Sequence, residues 1–203
     1  MRLLCTTVPL RQNDDMPIQI GGKSDHGFGE PLGLLSDCHR RIEHFLQLLI
    51  TVDLKASAGQ LSDEYRRALE SALTYFATAA PRHTADEEDS LFPRLRASSH
   101  RDAQHALSLI ERLERDHEAA NRHHAAMDTL VRRWLEDDRL EIDDATALRE
   151  HLTALQALYR AHIAVEDHDV FPAAARALDA SALQAIGREM AARRNVSPPQ
   201  LVK

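Results

Sequence analysis

Two stretches of this chain carry the same reactive side chains at the same offsets: His83, Glu87 and Phe92-Pro93, then His162, Glu166 and Phe171-Pro172. In each, a carboxylate follows a histidine by four residues. That step returns a helix to nearly the same face, so imidazole and carboxylate can converge on one point. Two such pairs on inward helix faces fit a pair of metal ions bridged by carboxylates. Imidazole nitrogen and carboxylate oxygen suit iron, manganese or zinc.

Elements able to place these groups follow from the hydrophobic pattern. Leu35, His39, Ile42, Leu46 and Leu49 share a stripe that predicts a first helix over about 32–54. Ser62 caps a second, whose stripe runs from Tyr65 through Phe76, His83 and Glu87 to Leu91, with Pro81 predicting a kink before the first motif. After Ser98-Ser99-His100, a third stripe carries Ile110, Leu113, His117, His124, Met127 and Trp134. A fourth lines up Leu148, Leu152, Leu155, Tyr159, His162, Glu166 and Val170, and a shorter helix is predicted over about 181–194.

Four long helices joined by short loops predict an all-α, up-down-up-down four-helix bundle with a short extra C-terminal helix. The expected organisation is an irregular leader at 1–30, the bundle at 31–178, and a C-terminal helix and tail at 179–203. On the four stripes, His39, His83, Glu87, His117, His162 and Glu166 stand where apolar residues belong. Burying such groups without partners costs several kcal/mol.

Their depths agree. In an antiparallel hairpin, residues equidistant from the loop lie at one height. The midpoint of His39 and His83 is residue 61, that of Glu87 and His117 is residue 102, and that of His117 and His162 falls between residues 139 and 140. Each lies in a predicted break, so the six ligand-type residues occupy one layer.

The composition sets limits on function. With 203 residues, 43% of them hydrophobic and 28% charged, the chain can build one soluble domain. A net charge of -7 argues against nucleic-acid and anionic-membrane binding, and no apolar run is long enough to cross a bilayer. Two cysteines, Cys5 and Cys38, form no CxxC motif and predict a reducing, cytoplasmic setting.

The segments around Asp37-Cys38-His39, His83 to Pro93, Asp116-His117-Glu118 and His162 to Pro172 resemble the hemerythrin-like family, the HHE cation-binding domain, over about 32–178. That resemblance implies two iron ions in a non-haem centre bridged by two carboxylates and an oxo or hydroxo group. Glu87 and Glu166 would bridge, with His39, His83, His117 and His162 as terminal ligands. Two departures stand out. Oxygen-carrying members have HxxxH in the third helix, where His117 is here followed by Asn121. They use HxxxxD in the fourth, where His162 has Glu166 at four and Asp167 at five. His124, two turns beyond His117, is a further candidate ligand, with water as the alternative.

The expected function is binding of dioxygen, nitric oxide or a related small oxidant for sensing or protection. Peroxide or nitric oxide reduction, iron–sulfur centre repair, and iron storage or regulation without turnover are the alternatives. Glu88 and Asp167 are read as solvated acids or as groups that orient an imidazole through its other nitrogen. No catalytic residue and no protein partner is assigned.

Overall fold

The computed structural model describes residues 26–196, so Cys5, most of the expected leader and the last residues of the tail lie outside the described residues. Among the described residues there is no strand. The elements are α1 (Pro31–Ala56), α2 (Asp63–Asp86), a π-helical turn at Glu87–Leu91, α3 (Phe92–Ala97), α4 (Arg101–Asp137), α5 (Ile142–Val165), a second π-helical turn at Glu166–Val170, α6 (Phe171–Ala177) and α7 (Ala180–Arg193). Each π turn joins its flanking helices without a break, so four rods run up, down, up and down. Neighbours pack in cyclic order, α1 on α2, α2 on α4, α4 on α5 and α5 on α1.

Local chemistry sets the ends. Ser62 Oγ accepts the Tyr65 amide at 3.2 Å and starts α2. His100 Nδ1 accepts the Asp102 amide and starts α4. Pro81 sits inside α2, which continues through it.

Departures from regular α-helix lie further on, at two places the stripe pattern did not indicate. In both π turns an amide reaches back five residues, Phe92 to the Glu87 carbonyl and Phe171 to the Glu166 carbonyl. The next residue is Pro93 or Pro172, which has no N–H to return to the α-helical register. Widening the turn keeps Glu87, Ser90, Leu91 and Phe92 all buried, although a regular helix would turn some of them outward.

Two apolar clusters form the core. One holds Ile42, Phe45, Leu69, Phe76, Met127, Trp134 and Leu155. The other holds Leu35, Leu91, Phe92, Ile110, Leu113, Phe171, Ile186 and Met190. On every rod the ligand-type residues fall between the two. The bundle is therefore an apolar–polar–apolar stack, which agrees with the single layer expected from the loop midpoints.

Helix α7 packs into the second cluster through Ile186 and Met190. Gly187 makes this possible, because a Cβ there would lie 1.9 Å from the Phe28 carbonyl oxygen.

Candidate metal centre

The polar layer consists of His39, His83, Glu87, His117, His162 and Glu166, each with 6% or less of its surface exposed. One ligand atom from each of His39, His83, Glu87 and Glu166 lies within 4.8 Å of the others, and so does one from each of Glu87, His117, His162 and Glu166. Both glutamates belong to both groups. Glu87 divides its oxygens: Oε1 lies 3.3 Å from His83 Nε2 and 3.9 Å from His39 Nε2, while Oε2 lies 3.4 Å from His117 Nε2. Glu166 Oε2 lies 3.0 Å from His39 Nε2 and 3.2 Å from His162 Nε2. Two overlapping groups of buried donors therefore share the same two carboxylates, each able to hold a metal ion.

The donor atoms test the fit. Both oxygens of Glu87, both of Glu166, and Nε2 of His39 and of His83 are buried and make no hydrogen bond despite these close approaches. Buried polar atoms are normally satisfied. Six unsatisfied ligand atoms converging on one layer match what a metal cation requires, so the residues fit a metal site.

Electrostatics points the same way. Burial pushes the Glu87 carboxyl up, helped by the charge of Glu166, to about 7. Burial also works against the charge on Glu166, but His162 and His39 outweigh it and hold that carboxyl below its usual range. For His39, burial is outweighed by Asp167, Glu166 and Glu87, which raise it to about 10. For His117, Glu87 and Glu88 likewise outweigh burial and raise it to about 9. His83, wholly enclosed, is held well below its ordinary value by burial and by the charge of His39.

A second ring of groups orients the imidazoles, and it crosses between hairpins. Asp167, on the second hairpin, lies 3.1 Å from Nδ1 of His39 on the first and is itself held by Ser36 Oγ at 2.7 Å. Glu88, on the first hairpin, lies 2.8 Å from Nδ1 of His117 on the second. The phenylalanines follow the same rule: Phe171 stacks on His39 and Phe92 on His117, with interplanar angles of 12° and 10°. Acid and ring at fixed offsets after Glu87 and after Glu166 thus hold the other hairpin's histidine. The identical offsets in the two motifs were the available signal. Their target was not readable without the fold.

The remaining candidates separate cleanly. Asp167 orients His39, and Glu166 is the fourth-rod carboxylate that faces the layer. His124 lies outside both ligand groups; its Nε2 is 2.7 Å from the Tyr159 hydroxyl and its ring stacks on Phe76. Glu43 is exposed. Cys38 is a free, buried thiol whose pKa is raised by burial. A cavity of about 40 Å³ adjoins the layer, lined by the four histidines together with Asn121, His124 and Tyr159. It has room for a few waters or one small molecule.

Comparison with known proteins gives the same picture. The sequence profile of the hemerythrin HHE cation binding domain matches residues 30–174. The chain is 31% identical over 172 residues to an uncharacterized protein of Haemophilus influenzae, covering 83% of this chain and 92% of that relative. No helix among the described residues is long and apolar enough to cross a membrane.

Proposed function

The chain belongs to the hemerythrin HHE cation-binding family, and on that premise we propose that its polar layer holds two iron ions and presents them to a small oxidant such as dioxygen, nitric oxide or a peroxide. The observation that carries this reading is the sharing of Glu87 and Glu166 between two four-residue groups of buried donors. In the proposal, His39 and His83 would hold one ion and His117 and His162 the other, with Glu87 and Glu166 available to both. Iron held there would supply redox chemistry toward a small oxidant.

The protein's own part is positional. Asp167 and Glu88 fix two imidazoles by their outer nitrogens, so each ring presents Nε2 to the layer. The two apolar clusters exclude bulk water on both sides, and the small cavity limits the ligand to a few atoms. Asn121 stands on the cavity wall where oxygen carriers have a histidine. That substitution leaves room for an exogenous ligand, and favours sensing or protection over reversible oxygen transport. A reducing, cytoplasmic setting suits the free thiol of Cys38.

Metal analysis of protein from iron-fed cells, read with its absorption spectrum before and after nitric oxide, tests this. Two irons per chain and a spectrum that nitric oxide changes are expected. One zinc per chain, or no metal, defeats the reading.

A further inference from the structure

Tyr159 and His124 face the ligand cavity but belong to neither group of donors. The Tyr159 hydroxyl lies 2.7 Å from His124 Nε2, and Tyr159 is only 8% exposed. His124 Nδ1 is buried without a partner. Burial, and then the charge of neighbouring His123, lower the His124 pKa to about 4, so its ring is neutral near pH 7. Of the two tautomers of a neutral imidazole, the one with its proton on Nδ1 has Nε2 accepting from the Tyr159 O–H, and it is this form that the pair uses.

Tyr159 also cannot ionise simply. Burial, with the charges of Glu87 and Glu166 adding to it, raises its pKa above the ordinary phenol value. On its other side Tyr159 forms part of the wall of a surface groove between α1 and α5, with Glu43, Gln47, Gln156 and Arg160. One side chain thus borders both the inner cavity and the exterior.

We propose that Tyr159 and His124 form a proton-coupled redox pair that carries single electrons from the outer groove to an oxidant in the cavity. The oxidant follows from the reading above and is a hydroperoxide. In each passage Tyr159 gives one electron inward, its O–H bond breaks, and the proton forms an N–H bond at His124 Nε2. A neutral phenoxyl radical then stands beside a protonated imidazole. One electron from an outer reductant, such as ascorbate, restores the phenol as the proton returns. Two passages, with two protons from solvent, convert ROOH to ROH and water. A phenol that loses electron and proton together avoids a buried phenolate or a buried radical cation, either of which this apolar setting penalises.

The pair can be tested without metal. Tyr65, Tyr75 and Tyr159 are the tyrosines of the chain, so Tyr65→Phe with Tyr75→Phe leaves Tyr159 alone. The full-length, metal-free double variant is oxidised with a photogenerated ruthenium(III) complex and frozen for electron paramagnetic resonance. A phenoxyl signal is expected, and it should be lost on adding His124→Gln, which keeps a polar group but no comparable base. Circular dichroism checks that each variant is folded; where His124→Gln is not, His124→Phe replaces it. No signal, or an undiminished signal without His124, overturns the pair.

In a second arm, iron-loaded protein is given hydrogen peroxide and ascorbate. Tyr159→Phe should retain its iron and lose most of the peroxide-dependent ascorbate oxidation. Full retention of that oxidation overturns the relay. Failure to take up iron at all defeats the metal reading instead, and the metal-free arm shows which of the two has failed.

Discussion

Protons and metal ions compete for the same nitrogens, and the competition has a predictable slope. With no metal bound, His39 is raised to about 10 and His117 to about 9, so near neutral pH both carry a proton that a metal ion must displace. Each displaced proton makes binding about tenfold tighter per pH unit, so two give roughly 100-fold, or about 2.7 kcal/mol, per unit. This holds between about pH 7 and pH 8.5 and flattens as the pH passes the two histidine values. Near and below pH 7 the Glu87 proton adds to the slope, because that carboxyl is raised to about 7. Stability of the metal-free chain runs the other way. Groups with raised pKa stabilise fully below the unfolded histidine value of 6.5, and that contribution fades as pH rises through 9 and 10. Competition against a chelator of known pH dependence measures the first effect, and titration calorimetry in buffers of different ionisation enthalpy counts the protons directly. An affinity that is flat across this range, with no proton release, refutes the reasoning.

Further perturbations probe separate parts of the structure. Glu87→Gln removes the carboxylate that offers one oxygen to each half of the layer, and metal analysis should show loss of at least one ion per chain. Glu88→Gln or Asp167→Asn leaves every inward donor in place, and should weaken metal binding about 10- to 100-fold in chelator competition while the fold persists. Gly187→Ala should destabilise the chain to urea although alanine favours a helix by about 1 kcal/mol, because the new Cβ collides with the Phe28 carbonyl. Asp86 is fully buried, with Arg193 at 2.9 Å and Arg194 at 2.6 Å. Replacing both arginines with alanine should therefore cost about 3–5 kcal/mol by urea denaturation; a loss below 1 kcal/mol would show that water reaches the carboxylate.

The four stripes were legible in the sequence because helical periodicity is a local property repeated over many turns. So was the common depth of the ligand layer, because short loops tie sequence distance to height. The π turns were not, since Phe-Pro at a fixed offset reads equally well as packing at a helix end. Only the five-residue amide bonds of Phe92 and Phe171 reveal why proline follows. The roles of Glu88 and Asp167 were visible as types but not as partners, because each reaches a histidine on the other hairpin. The environment of His124 depended on Phe76 and Tyr159 from two other rods, which no local pattern connects to it.

The crossed bracing of His39 and His117 gives this single chain the symmetry of a dimer. In a twofold assembly residue i meets j where j meets i. Here Asp167 and Phe171 meet His39 as Glu88 and Phe92 meet His117. The two halves are joined by one short link, Ser98 to His100, at the end of the rods. Cutting that link leaves two fragments, neither with a full set of donors and each holding what orients a histidine of the other. Their reassembly is a bimolecular event in which metal uptake and strand complementation are one equilibrium, so the chain could be divided there to make a metal-dependent pair of parts.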